Sequence, residues 1–221
     1  MESYLKEFSI RSRHHSKLIN FIYPELKKNE NSNILEFGVS EKGMSTELFL
    51  KYSKNNSCKL FSIDNVDYGK KFNDPNWKFI FSRDDNYKYV ENNLSDNYDL
   101  ILLDTIHESD HVEKILFNYY KFLNVGKCFF IDDISWLPYI KKAEKNRFYA
   151  EINNKETFDM LLDLYFINRE NIKVDFTFEG TGMCKITKLN NNNLNKIKEK
   201  VKLRKYSIKN TLRKISKLLK L

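Results

Sequence analysis

Five short apolar runs, each broken by a polar or acidic residue and followed by a polar turn, constrain this chain most. They are residues 33–39 (NILEFGV), 59–64 (KLFSID), 77–82 (WKFIFS), 98–104 (YDLILLD) and 127–132 (KCFFID). Near-continuous apolar runs of this length suit strands covered on both faces, which is the condition of a parallel sheet. Helical patterns alternate with them at residues 45–54, with Ser45 as the expected N-cap, and at 87–93 and 112–123. The alternation predicts an α/β fold with a mostly parallel sheet between helical layers. Ligands of such sheets sit at the carboxyl ends of the strands. That edge would collect residues 36–40, Asp64, residues 82–85, Asp104, Asp132 and Asp133.

The flanks read differently. Residues 2–28 have apolar positions at helical spacing, with a break expected near Pro24. Residues 140–148 and 155–166 read as helices. Residues 173–178 and 183–189, separated by Glu179-Gly-Thr-Gly182, read as an antiparallel hairpin.

Charge divides the chain in two. The net charge is +8, yet residues 185–221 carry 13 Lys or Arg and one acid, a net of +12. Residues 1–184 hold 25 basic and 29 acidic residues, a net of −4. The basic excess is therefore poor evidence for a nucleic-acid substrate. Within residues 190–221, Leu194, Ile197, Val201, Ile208, Leu212, Ile215, Leu218 and Leu219 form a helix-like apolar stripe among lysines. Such a tail suits packing on its own domain or on a second copy in a homo-oligomer. It also suits an anionic membrane surface and, with fewer features in favour, nucleic-acid phosphates.

Other classes are disfavoured. No run approaches the roughly 18 apolar residues of a membrane-crossing helix, and the first residues lack the apolar core of a secretory signal. The three cysteines, Cys58, Cys128 and Cys184, are scattered and suit a reducing, cytoplasmic compartment, peripheral to a membrane where the tail binds one.

Four short motifs carry chemistry. Gly38 and Gly43, in Glu36-Phe-Gly-Val-Ser-Glu-Lys-Gly-Met-Ser45, can bring backbone close to a polar ligand at a helix start, although the spacing is neither GxGxxG nor a P-loop. Asp64 is placed to accept ribose hydroxyls. Asp104-Thr-Ile-His107 and Asp132-Asp133 end consecutive strands. Three carboxylates converging there would repel one another, and a hard divalent cation relieves that repulsion. His107 is close enough in sequence to act as a base beside it. His14 and His15 read as positions on a surface helix, and His111 as a residue that follows the loop into the next helix. Trp136 could border an acceptor site, and Phe117, Tyr119 and Phe122 read as helix packing.

With these residues in view, the chain resembles class I S-adenosylmethionine-dependent methyltransferases. Within them it is similar to the metal-dependent sugar O-methyltransferases of the macrocin and mycinamicin type and to the cephalosporin-hydroxylase-like group. The carrying segments are ILEFGVSEKGMST (34–46), SID (62–64), YDLILLDTIH (98–107), FFIDD (129–133) and the hairpin turn 179–182. The resemblance implies a Rossmann-like three-layer sandwich with a mostly parallel seven-stranded sheet and a C-terminal antiparallel hairpin. It implies a methyltransferase domain over 1–189, opened by the helical segment 1–30, and a basic amphipathic helical tail over 190–221.

It also implies S-adenosylmethionine bound through Glu36, Gly38, Gly43, Ser45, Asp64 and Asp104, with Asp84 as the candidate for adenine. A divalent metal, Mg²⁺ first and Mn²⁺ second, would rest on Asp104, Asp132 and Asp133, with His107 as general base. The family's Gly-Asp between the strand-end Asp and the His is replaced here by Thr105-Ile106, and residues 82–85 lack the usual Gly-Asp pair. The expected reaction is O-methylation of a sugar hydroxyl in glycan or glycoconjugate synthesis. The alternatives are a nucleic-acid methyltransferase recruited by the tail and a non-catalytic cofactor-binding scaffold anchored by it.

Overall fold

The computed structural model describes residues 1–11, 14–134, 148–198, 200 and 208–219. Trp136 and most of the helix expected at 140–148 lie outside these residues, as do Val201 and Leu221 of the tail.

The chain begins with α1 (Glu2–Arg11) and α2 (His14–Lys17), a π-turn over Leu18–Ile22, and α3 (Tyr23–Leu26). The break expected at Pro24 is absent. Pro24 lies in the first turn of α3, where no intrahelical N–H is required. The alternation follows: β1 (Asn33–Phe37), α4 (Met44–Asn56), β2 (Lys59–Asp64), β3 (Trp77–Phe81), α5 (Tyr87–Glu91), β4 (Tyr98–Leu103), α6 (Ser109–Tyr119) and β5 (Leu123–Asp132). Then come α7 (Phe148–Asn168), β6 (Ile172–Thr177), β7 (Met183–Lys188) and α8 (Ile208–Leu218).

The seven strands form one sheet in the order β3-β2-β1-β4-β5-β7-β6. The first five pair in parallel, and β7 is antiparallel to both β5 and β6. This is the expected mostly parallel sheet with a terminal hairpin. The order reverses between β1 and β4, so the crevice beyond their carboxyl ends is where such a sheet accepts ligands.

Side-chain alternation builds two cores. Leu35, Phe37, Ile101, Leu103, Phe129 and Ile131 pack on one face with Ile115, Tyr119 and Leu164 of α6 and α7. Ile34, Leu100, Leu102, Cys128 and Phe130 pack on the other with Phe8, Ile22, Leu48 and Phe49. Both faces are covered, which explains why the strands read as unbroken apolar runs.

Two local expectations change. The N-cap of α4 is Gly43, in the left-handed region at φ 60°, and Ser45 lies inside the first turn. A buried carboxylate draws the Ser45 hydroxyl away, as described below. His15 is buried rather than on the surface, and its ring stacks on Phe8 at 3.9 Å between centroids; the His14 side chain lies outside the described residues.

Residues 192–198 are not helical. Asn side chains there bond backbone and so compete with a helix: Asn190 accepts from the Asn192 amide at 3.0 Å, and Asn195 and Asn168 exchange two bonds at 2.7 and 3.0 Å. Leu194 is buried in the core and Ile197 packs against it. The segment after β7 is thus sewn to the body before α8 begins.

Candidate functional site

The carboxyl ends of β1, β2, β4 and β5 bring most of the expected residues to one edge. Glu36 leaves β1 toward α4 and is fully buried. It accepts hydroxyl bonds from Ser45 at 2.5 Å, Ser62 at 2.6 Å and Thr46 at 2.8 Å. Burial pushes its pKa up to about 7, against the lowering effect of those three donors. Glu36 and Ser45 therefore fasten the floor of the β1–α4 loop to each other.

Gly38 has φ 95°, and a Cβ placed there would lie 1.9 Å from the Asp104 carbonyl oxygen. Only glycine permits this approach of β1 to the end of β4. At Gly43 a Cβ would meet the Lys71 and Phe72 side chains at 2.7 and 2.9 Å. Asp64 grips the same loop. One oxygen accepts the Val39 and Ser40 amides at 2.8 and 3.2 Å, and the other accepts the Val66 amide at 2.9 Å. The turn is thus preorganised around an acid at the end of β2, the acceptor that the resemblance assigns to ribose hydroxyls, with both its oxygens already accepting backbone amides.

Asp84 is buried and joins the β3 end to α6. Its carboxylate accepts from Thr105 Oγ1 at 2.6 Å and pairs with His111 Nε2 at 2.8 Å, while its carbonyl accepts from Tyr119 at 2.7 Å. Asp84, Asp85 and His111 bring metal-type ligand atoms within 4.8 Å of one another. Asp85 is held by Arg83 through two bonds of 2.7 and 2.8 Å. These pairings brace the wall that Asp84 was expected to offer to adenine, and they give His111 a buried partner.

The expected metal edge lies between β4 and β5. His107 Nε2 stands 3.6 Å from Asp104 Oδ1 and 3.4 Å from Asp133 Oδ2. Asp133 adopts φ 54°, a left-handed conformation that a non-glycine residue holds only under surrounding constraint. The constraint is visible: its amide donates to Asp132 Oδ1 at 2.8 Å and to the Gly182 carbonyl at 3.1 Å.

The residue that sequence reasoning missed is Lys17. Its ammonium is buried, donates to Asp132 Oδ1 and to Thr181 Oγ1 at 2.6 Å, and lies 3.6 Å from Asp133 Oδ1. Burial alone would lower its pKa, but attraction to Asp132 and Asp133 prevails and raises it. Lys17 is one of 38 basic residues, and its only mark in the sequence is its place just before the apolar run 18–22. The π-turn beginning at Leu18 follows directly, and such irregular turns recur at functional sites.

Two carboxylates therefore meet one ammonium, and Asp104 lies near enough to feel all three charges. Desolvation, then repulsion from Asp132 and Asp133, pushes Asp104 well above the ordinary carboxylate range. Asp132 is also raised, because its burial outweighs the attraction of Lys17. Asp104 and Asp133 flank His107 and are hard oxygen donors of the kind that hold a divalent cation, although among the described residues only Asp84, Asp85 and His111 bring three ligand atoms within 4.8 Å of one another. Asp132, the third expected ligand, has one oxygen committed to Lys17 and to the Asp133 amide.

A cleft of about 510 Å³ opens elsewhere, between α1, α4 and residues 71–74, and none of the expected site residues lines it.

No protein-family model matches the chain, and no curated protein matches it. Solved structures do. MycE methyltransferase from the mycinamycin biosynthetic pathway, in complex with Mg and SAH, matches with a TM-score of 0.64 at 15% identity, over 85% of this chain and 55% of that one. A Staphylococcus aureus protein provisionally described as a caffeoyl-CoA O-methyltransferase matches with a TM-score of 0.59 at 18% identity, over 76% and 81% of the two chains. The SAH-bound Podospora anserina methyltransferase PaMTH1 gives 0.61 at 13% identity, over 85% and 87%. The chain thus spans about half of MycE and most of the other two. Sheet order, terminal hairpin and these likenesses agree: the chain has the fold of the class I S-adenosylmethionine-dependent methyltransferases.

Proposed function

We propose that this chain is an S-adenosylmethionine-dependent O-methyltransferase, assisted by a divalent cation, that acts on a sugar hydroxyl. The observation that carries the reading is the meeting of His107 with Asp104 and Asp133 at the carboxyl ends of β4 and β5, on the sheet edge that also holds the Asp64 turn. MycE, crystallised with Mg, SAH and mycinamycin VI, supports the same combination of fold, cofactor and metal.

Bound S-adenosylmethionine would supply an activated methyl group, so the chain's work is placement and proton removal. Asp64 and the turn at 38–43 would seat the ribose and the methionine part. Asp104 and Asp133 would hold the cation, whose chemistry is to lower the pKa of a coordinated hydroxyl. His107 Nε2, lying between those two carboxylates, takes the hydroxyl proton, and the carboxylates stabilise the imidazolium it becomes. Lys17 holds Asp132 in place, which fixes the backbone from which Asp133 projects. A vicinal diol would suit chelation by such a cation, which favours a sugar acceptor.

The test is transfer of labelled methyl from S-adenosylmethionine to a panel of mono- and oligosaccharides, with Mg²⁺ and with excess EDTA. Label on a sugar that disappears in EDTA is expected. Label entering RNA and no sugar would overturn the acceptor, and full activity in EDTA would overturn the metal.

A further inference from the structure

We propose that α8 is a reversible anchor for anionic lipid bilayers, independent of the catalytic reading. The chain after β7 is fastened to the body through Leu194 and Asn195, and α8 follows as a separate helix. Its apolar side chains face solvent: Ile208 is 81% exposed, Leu212 60%, Ile215 46% and Leu218 82%, as is Leu219, just past its end, at 61%. At roughly 100° per residue, Ile208, Leu212, Ile215 and Leu219 share one narrow arc and Leu218 borders it. Lys209, Arg213 and Lys217 occupy the opposite arc, and Lys214 flanks it.

Each rival occupant leaves one face unexplained. Two copies of α8 could pair their apolar arcs, but no acid follows Glu199 in the sequence. Their flanking positions would then set lysine against lysine, where paired helices need opposite charges. A nucleic-acid strand could take the basic arc, but residues 208–219 contain no aromatic side chain to stack on a base. It would also leave five large aliphatic groups in water. An anionic membrane interface uses both faces at once: the aliphatic arc enters the headgroup boundary and the basic side chains meet lipid phosphates and carboxylates. The body with its sewn segment, residues 1–198, holds 29 basic and 29 acidic residues and is neutral, so the charge that would meet that surface lies in the tail. No helix among the described residues is long and apolar enough to cross a membrane, which leaves attachment at the surface.

The test is co-sedimentation of the full-length protein with vesicles of phosphatidylcholine alone or mixed with phosphatidylserine. Binding to the mixed vesicles should exceed binding to phosphatidylcholine at least tenfold and weaken with salt. Loss of charge is probed at two sites, Lys209→Gln and Arg213→Gln, each expected to weaken binding about fivefold. Leu212→Asp with Leu218→Asp should abolish it, with methyl transfer or SAH binding unchanged. Three results overturn the proposal: no binding to mixed vesicles, binding that survives the double aspartate variant, or a concentration-dependent dimer that this variant dissociates. Retention of RNA binding by the same variant, without vesicle binding by the wild type, would assign the tail to nucleic acid instead.

Discussion

Lys17 and Asp132, 115 residues apart in sequence, form a buried ion pair beneath the acidic edge of the sheet. The pair joins the N-terminal helices to the end of β5, so the helical segment before the first strand is part of the site. Removing one member strands the other. Lys17→Met is expected to cost about 3–5 kcal/mol, the usual loss when a buried charge keeps no partner. Lys17→Met combined with Asp132→Leu should recover most of that loss, because both desolvation costs vanish together. Urea unfolding of the three proteins checks it, and a single variant as stable as wild type would contradict the burial of the pair.

Glu36 gives stability an unusual pH dependence. Its pKa is about 7 in the fold and near 4.3 in an unfolded chain. Between these values the fold holds a proton that the unfolded chain has released. Stability from this group is therefore full below the unfolded value, falls as pH rises through the window, and is lost above about 7. The span is on the order of 3 kcal/mol. Glu36→Gln should flatten it, and the difference between the two proteins isolates this carboxyl from Asp104 and Asp132. Parallel stability curves from pH 4 to 8 would count against it.

Two glycines with positive φ should respond differently to alanine. Gly38→Ala drives a Cβ into the Asp104 carbonyl, whereas at Gly126, φ 80°, nothing lies within 4 Å of a Cβ. Gly126→Ala should cost only the left-handed strain, about 1–2 kcal/mol. Gly38→Ala should cost more and should displace Asp104, which weakens cation binding as well as stability. Thermal melts with and without Mn²⁺ distinguish the two effects.

His107→Ala should separate chemistry from binding. Removal of a general base costs about 10²–10⁴ in turnover, while affinity for SAH should change little because the ring faces Asp104 and Asp133. Calorimetric titration beside single-turnover kinetics reads both. A loss of SAH affinity equal to the loss of rate would move His107 into the cofactor site.

Much of this was legible in the sequence because buried parallel strands end abruptly. The apolar runs stop at Asp64, Asp104 and Asp132, and the structure places these acids at one sheet edge. Ser45 was misleading because a serine before an apolar helix looks like a cap, and its hydroxyl is instead claimed by Glu36, nine residues back. Residues 194–198 carry apolar spacing but follow the Asn run, and Asn side chains there bond backbone in place of a helix. Lys17 had no local signature at all. Its role arises from tertiary placement of a helix against a strand end 115 residues away, which no short window contains.

The most direct test of the central claim is a crystal of the full chain grown with S-adenosylhomocysteine and Mn²⁺, with anomalous data collected for manganese. The account predicts a manganese peak on Asp104 and Asp133 beside His107, with the ribose at Asp64 and Lys17 still on Asp132. S-adenosylhomocysteine absent from the Asp64 turn, or manganese seated only at Asp84, Asp85 and His111, would contradict it.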